Sequence, residues 1–139
     1  MKVPAGFPSP ADDYLQKSLD LRELLIEHEA ATFFIRAAGD SMIGYQINDG
    51  DVLVVDRSLK VLHGDIVVAA VNGDFTVKQY WNKGGVVKLR PGNLKYPEIE
   101  LKDGSELLVW GVVTWNLHDC LKIRSRRREQ LLRKLRTPI

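Results

Sequence analysis

The sequence has little that would place the protein in an oxidising compartment or in a membrane. Cys120 is the single cysteine among 139 residues, so an intrachain disulfide framework is excluded. No apolar run approaches the ~18–20 residues that a membrane span needs. The N-terminal residues also lack the apolar core of a signal peptide. We therefore expect a cytoplasmic protein that contacts no membrane.

The chain also lacks a large excess of one charge. It has 20 lysines and arginines and 18 acidic residues, so the formal net charge is +2. The distribution along the chain is uneven, however. Residues 1–121 hold 12 basic and 17 acidic side chains, whereas residues 122–139 hold eight basic and one acidic. The sequence thus indicates a mildly acidic body followed by a basic tail.

Short apolar runs between turn residues predict a mostly β fold. A capping residue at Ser9 predicts a short helix over about 11–17, and one at Asp20 a second helix that reaches His28. Seven strands follow without a long helix between them, which indicates a curled antiparallel sheet rather than a parallel one. Residues 122–136 are predicted to form a basic helix. The predicted strands are Thr32–Ala37, Val52–Val55, Ile66–Val71, Phe75–Trp81, Val86–Leu89, Glu98–Leu101 and Leu107–Trp115.

A serine directly after the first predicted strand is the first feature that could carry chemistry. Gly39, Asp40, Ser41 and Met42 follow one another there. An exposed turn rich in backbone N–H donors is where a nucleophile and its oxyanion site are usually built. Taken alone, the pattern fits an ordinary turn serine better.

A lysine inside an apolar strand is the second such feature. Strand alternation places Thr76, Lys78 and Tyr80 on one face, opposite Val77 and Gln79. Desolvation there would lower the pKa of the lysine from ~10.4, and a neutral lysine can take the proton of a serine. The alternative is a lysine whose stem lies on apolar neighbours while its amine reaches water.

The small pair Ala5-Gly6, in a proline-flanked segment, is the third feature. Such a segment suits a protease cleft, because small side chains let the carbonyl group approach the nucleophile closely. The alternative is a frayed N-terminus.

Together these features resemble the UmuD family, the self-cleaving accessory proteins of the bacterial SOS response, which are related to LexA-type repressors. The order of the motifs is that of the family, with 35 residues from Gly6 to Ser41 and 37 from Ser41 to Lys78. The resemblance covers about residues 4–115. The matching segments are Ala5–Ala11, Gly39–Met42, Asp49–Asp56, His63–Val67, Asp74–Lys78 and Trp110–Val113.

The resemblance implies a LexA- and signal-peptidase-like curled antiparallel β fold and a serine endopeptidase that cleaves itself without a cofactor. Ser41 would be the nucleophile and Lys78 the general base. The bond between Ala5 and Gly6 would be cleaved. The substrate pocket would involve Val3, which fills it, and Met42.

The resemblance further implies a homodimer that cleaves itself faster on a RecA filament formed on single-stranded DNA. The cleaved dimer would bind a UmuC-type Y-family polymerase and permit translesion synthesis. An alternative of another class is an interaction module that binds the polymerase or DNA without proteolysis and has a vestigial cleavage site. A LexA-type repressor is not expected, because the four residues before Ala5 cannot form a DNA-binding domain.

Three regions are therefore predicted: an arm over 1–10 with the cleavage site, a peptidase domain over 11–121 and a basic tail over 122–139. The short arm has three possible explanations: the start is trimmed, the arm is naturally short, or the cleavage site is vestigial. The tail lies outside the resemblance. It forms a solvated basic face or contacts nucleic-acid phosphates. Its basic residues are Lys122, Arg124, Arg126, Arg127, Arg128, Arg133, Lys134 and Arg136.

The remaining histidines and tryptophans are expected to be structural. The histidines do not have zinc-ligand spacing with Cys120, so no metal site is predicted. Core or dimer contacts are expected for Trp81, Trp110 and Trp115 rather than a stacking platform for bases.

Overall fold

One antiparallel sheet dominates the computed structural model, which describes residues 2, 5–6, 18–101, 106–121 and 126–135. The seven strands are β1 (Thr32–Arg36), β2 (Val52–Asp56), β3 (Ile66–Val71), β4 (Asp74–Lys83), β5 (Val86–Arg90), β6 (Ile99–Glu100) and β7 (Leu107–Leu117). Their order across the sheet is β1-β2-β7-β3-β4-β5-β6, and all the pairings are antiparallel. The predicted mostly β, antiparallel fold is thus confirmed. Differences from the predicted strands are confined to their ends.

The hairpin between β3 and β4 shows how local sequence sets the strand register. Asn72 and Gly73 both have positive φ, at 48° and 89°. A two-residue turn with this backbone matches the twist of the strands that it joins. The register then pairs Val67 with Lys78 and so fixes the position of the lysine in the sheet.

The described residues outside the sheet include two short α-helices, α1 (Leu21–Leu25) and α2 (Arg126–Leu132). Asp20 caps α1 by accepting hydrogen bonds from two backbone N–H groups of the first turn, as predicted. The prediction that this helix reaches His28 was wrong. The chain is already extended at Ile26, and His28 Nδ1 instead lies 2.6 Å from the buried carboxylate of Asp56.

Two other helix predictions are only partly covered by the structure. The short helix predicted over about 11–17 lies outside the described residues. Of the basic helix predicted over 122–136, α2 covers Arg126–Leu132, and the described residues that follow, 133–135, form a turn instead. No helix in the described part of the chain is long and apolar enough to cross a membrane.

The sheet has buried residues on both faces, because successive side chains of a strand point to opposite faces. Loop residues cover one face, where Met42 and Ile47 join the core. The strand residues buried on that face are Ile35, Leu53, Val55, Val68 and Val77. Those buried together in the second cluster are Val67, Ala69, Leu89 and Val112.

Candidate active site

The fold brings the predicted serine and lysine together. Ser41 lies in the turn that follows β1, and Lys78 lies in the middle of β4. The Nζ atom of Lys78 is 3.3 Å from Ser41 Oγ. The same Nζ donates to Thr76 Oγ1 at 2.7 Å and to the Val77 carbonyl oxygen at 3.0 Å. The contact with Thr76 agrees with the predicted placement of both side chains on one face of the strand.

Lys78 is buried, with 8% of its surface exposed. Desolvation of the charged form lowers its pKa below the ordinary value of 10.5. Within the described residues no carboxylate forms an ion pair with this amine. Lys78 therefore loses its proton more readily than a lysine in water, and the neutral amine is the form that can accept a proton.

A small cleft lies beside Ser41 and is lined mainly by small side chains. Met42, the predicted pocket residue, is one of the lining residues and is 4% exposed. The other residues that line the cleft are Ala37, Ala38, Gly39, Ile47 and Val77.

The structure does not bring the predicted cleaved bond to this cleft. Ala5 and Gly6 are both exposed. Among the described residues, no atom beyond the adjacent residues lies within 4 Å of the point where a Cβ on Gly6 would stand. Val3, the residue predicted to fill the substrate pocket, lies outside the described residues.

Two backbone donors at the serine turn have no acceptor within the described part of the chain. Among the hydrogen bonds of the described residues, none uses the backbone N–H of Ser41 or of Met42. Adjacent N–H groups without a partner, at a serine held against a lysine, are donors of the kind that stabilise a tetrahedral oxyanion.

A second loop, residues 91–96, holds the serine turn from the other side. The Gly92 N–H donates to the Ser41 carbonyl oxygen at 2.7 Å. Asn93 Nδ2 donates to the Asp40 carbonyl oxygen at 3.1 Å. The Tyr96 hydroxyl donates to the Asp40 carboxylate, and this bond raises the pKa of Tyr96. Pro91, Gly92 and Asn93 are typical turn residues, but nothing in the sequence pattern points to a contact with the serine turn.

We expect Asn93→Ala to slow self-cleavage about five- to tenfold, because loss of the hydrogen bond to Asp40 costs about 1 kcal/mol of positioning at the serine turn. The variant also loses the bond that Asn93 Oδ1 accepts from the Lys95 N–H within the loop. The rate is measured by intact mass at fixed pH. Asn82→Ala is the matched control, because the side-chain amide of Asn82 donates to the Tyr80 hydroxyl at the exposed end of β4. Equal rates for the two variants would show that the loop does not position the serine.

The two loops meet at a glycine pair that leaves no room for a side chain. The Gly44 N–H donates to the Gly92 carbonyl oxygen at 2.6 Å. A Cβ on Gly44 would stand 2.4 Å from that same oxygen. Because the oxygen belongs to the backbone that holds Ser41, it cannot move without displacing the serine turn.

Gly44→Ala should therefore lower the free energy of unfolding by about 1–3 kcal/mol and reduce cleavage further than this loss of stability explains. Gly111→Ala is the comparison, because its Cβ would stand 2.5 Å from Val55 Cγ1, away from the serine. Urea unfolding and cleavage rates are measured on both. If the cleavage rate falls by the same factor in both variants for the same loss of unfolding free energy, the glycine pair has no specific part in placing Ser41.

A buried carboxylate supports the beginning of the serine turn. Asp51 is 2% exposed, and its carboxylate accepts hydrogen bonds from the Asn48 N–H at 2.8 Å and Asn116 Nδ2 at 2.9 Å. His118 Nδ1 lies 2.6 Å from the same carboxylate. Burial alone would raise the pKa of Asp51, but these donors hold it below its usual value. The Asp51 carbonyl oxygen accepts from the Ala37 N–H at 2.8 Å, so the carboxylate anchors the segment that leads to Ser41.

The basic tail lies partly within the described residues. Arg128 pairs with Asp119 at the end of the body, and Arg133 pairs with Glu129 within the tail. Arg127 and Lys134 are exposed. The predicted contact of the tail with nucleic-acid phosphates stays a prediction. Lys122, Arg124 and Arg136 lie outside the described residues, and for Arg126 only the backbone is described.

A mostly β domain that places a turn serine beside a buried lysine has the arrangement expected of a serine peptidase. The model of the Peptidase S24-like family matches residues 1–114, and the chain belongs to this family.

The chain is also similar to curated proteins of the same kind. It is 46% identical to Protein SamA of Salmonella typhimurium strain LT2 over 117 residues, which cover 84% of this chain and 81% of the relative. It is 44% identical to Protein MucA of Escherichia coli over 117 residues, covering 84% and 80%. Identity to the LexA repressor of Clostridium perfringens is 32% over 106 residues, covering 76% and 52%. The resemblance to the UmuD family is thus confirmed.

Proposed function

We propose that this chain is a UmuD-like SOS accessory protein that cleaves itself between Ala5 and Gly6 and regulates an error-prone Y-family polymerase. The observation that carries the proposal is the distance of 3.3 Å between Ser41 Oγ and the Nζ of the buried Lys78. Membership of the Peptidase S24-like family supports the chemistry. Identity to UmuD-family proteins supports a place in SOS mutagenesis.

The surroundings of Lys78 favour its action as a general base. A neutral amine has two N–H bonds and one lone pair. Thr76 Oγ1 and the Val77 carbonyl oxygen are placed to accept the two N–H groups, which leaves the lone pair directed to the Ser41 hydroxyl. The hydroxyl proton then moves to Nζ as Oγ attacks the carbonyl carbon of Ala5.

The remaining steps follow from the same few atoms. The backbone N–H groups of Ser41 and Met42 stabilise the oxyanion of the tetrahedral intermediate. The protonated Lys78 gives its proton to the nitrogen of Gly6, the bond between the two residues breaks, and Ala5 is left as an ester on Ser41. Water, deprotonated by Lys78, hydrolyses this ester and restores the serine. The products are residues 1–5 with a free carboxylate and residues 6–139 with a free amine.

The experiment that tests the proposal is intact-mass analysis of the full chain at pH ~9–10, with and without RecA filaments on single-stranded DNA. We expect loss of residues 1–5, and a faster loss when filaments are present. RecA without DNA is the control, because it forms no filament on a strand. A protein that stays intact under both conditions overturns the proposed cleavage.

The proposed partners are a second copy of the chain, the RecA filament and a UmuC-type polymerase bound after cleavage. Measurement of damage-induced mutagenesis in cells distinguishes the role of these partners from the role of proteolysis. Loss of mutagenesis in Ser41→Ala supports regulation by cleavage. Unchanged mutagenesis in Ser41→Ala, together with loss on deletion of residues 122–139, supports instead a module that binds polymerase or DNA without proteolysis.

A further inference from the structure

An asparagine near the end of β7 contacts the loop that carries Ser41. We call residues 38–49, which lie between β1 and β2, the serine loop. Asn116 Nδ2 donates to the Gln46 carbonyl oxygen at 2.8 Å and to the Asp51 carboxylate at 2.9 Å. Gln46 belongs to the serine loop, and Asp51 directly precedes β2. A single amide group therefore joins β7 to the serine loop and to the residue at which the loop re-enters the sheet.

The surroundings of Asn116 show which end of its amide the fold requires. The NH2 group has two hydrogens, and the two contacts use both of them. Its Oδ1 atom is the one buried side-chain oxygen or nitrogen without a partner in the described part of the chain. A buried oxygen without a partner is destabilising. The asparagine is therefore placed to supply donors to the two acceptors rather than to stabilise its own strand.

The contact with Gln46 supports an unfavourable backbone conformation. Gln46 has a φ of 63°, in the left-handed region that residues other than glycine seldom adopt. It ends the short turn Ile43–Tyr45. The next residue, Ile47, donates its N–H to the Met42 carbonyl oxygen at 3.3 Å. A change of conformation at Gln46 would therefore reach Met42, whose N–H is one of the two donors proposed for the oxyanion.

The contact with Asp51 holds the base of the serine loop. The Asp51 carbonyl oxygen accepts from the Ala37 N–H, and the Gly50 N–H donates to the Ala37 carbonyl oxygen, both at 2.8 Å. These two bonds close the loop where it leaves the sheet and returns to it. Since Asn116 donates to the carboxylate of the same Asp51, it supports the loop at its base as well as at Gln46.

We infer that Asn116 is a positioning residue for Ser41, which acts by holding the serine loop at Gln46 and at Asp51. Asn116 lies beyond residues 1–114, which the family model matches, so the match assigns it no part in the reaction. The inference rests on the proposed function, because it concerns the reactivity of the same serine.

Reaction of Ser41 with diisopropyl fluorophosphate tests the inference without self-cleavage. The serine oxygen bonds to phosphorus and displaces fluoride, and the adduct is measured by intact mass. We expect Asn116→Ala and Asn116→Asp each to slow labelling about 10- to 100-fold, because two hydrogen bonds are lost and one of them is to a charged group. Ser41→Ala shows the background from other residues.

A variant of the same strand is the control for these substitutions. Thr114→Val removes a side-chain hydrogen bond of β7 that goes to the Val54 carbonyl oxygen instead of the serine loop. It should be labelled at the wild-type rate. Urea unfolding identifies conditions in which every variant is folded, so slower labelling there does not come from unfolded protein. Asn116→Ser keeps one donor and is the milder variant if Asn116→Ala does not fold, with labelling expected to be about 3- to 10-fold slower than in the wild type.

A second substitution distinguishes positioning from a general loss of stability. Glycine adopts the backbone conformation of residue 46 without strain, so Gln46→Gly should make the serine loop depend less on Asn116. The Gln46 side chain is exposed, so little packing is lost. We expect Gln46→Gly combined with Asn116→Ala to be labelled about threefold faster than Asn116→Ala alone, with both proteins folded.

Labelling of the Asn116 variants at the wild-type rate would overturn the inference. A double variant that is labelled no faster than Asn116→Ala would do the same, because the effect would not pass through Gln46. Failure of the proposed function gives a different result, in which wild-type Ser41 is labelled and slowed by the Asn116 substitutions but the chain stays uncleaved. A wild-type Ser41 that does not react overturns both.

Discussion

We expect Ser41→Ala and Lys78→Ala each to lose self-cleavage by a factor of roughly 10⁴–10⁶, which in practice is complete loss. Ser41→Ala removes the atom that attacks the carbonyl carbon. Lys78→Ala leaves the hydroxyl with no acceptor for its proton, since no other base lies within hydrogen-bond distance of Ser41 Oγ among the described residues. The rate is measured by intact mass at pH ~9–10 over days.

Matched controls for this experiment are Ser18→Ala and Lys88→Ala. Ser18 is exposed ahead of α1, and Lys88 pairs with Glu98 at the far end of the sheet. Both should cleave at the wild-type rate. Because the serine and the lysine act in one proton transfer, the double variant should be no slower than either single variant. If Lys78→Ala cleaves itself at the wild-type rate, the lysine is not the general base. The description of the fold would not be affected by that result.

The strands could be predicted from the sequence because the signals that define them are local. Alternation of apolar residues marks β4, and the pair Asn72-Gly73 imposes the turn before it. The start of α1 could be predicted for the same reason, since Asp20 caps the helix through its own neighbours. Its end could not, because His28 leaves the helix to reach Asp56, which is 28 residues away in the sequence.

The candidate site was predictable only through the family resemblance. Ser41 alone fits a turn serine, and Lys78 alone fits a strand lysine. Their contact depends on the strand order β1-β2-β7-β3-β4, in which the last strand lies between β2 and β3, and no pattern around either residue reveals this order. The supports of the site were missed for the same reason. The contacts from Asn93 to Asp40 and from His118 to Asp51 join residues 53 and 67 positions apart.

The pH dependence of cleavage has the second-largest expected effect, and its sign follows from the role proposed for Lys78. Below the pKa of the amine, the neutral fraction that can accept the Ser41 proton falls tenfold for each pH unit. The rate of cleavage should therefore rise about tenfold per unit from neutral pH and then level off. Burial lowers the pKa of Lys78, so the plateau should begin below pH 10.5.

Lys78→Arg tests whether this titration belongs to the lysine. A guanidinium group stays protonated at every pH that the protein tolerates, so this variant should be inactive over the whole range although it keeps the positive charge. Ser18→Ala should retain the wild-type profile. A wild-type rate that is flat or that falls with rising pH would contradict a lysine base. A lysine used only for its charge would give such a profile, because the ammonium form is then the active one and disappears as the pH rises through its pKa.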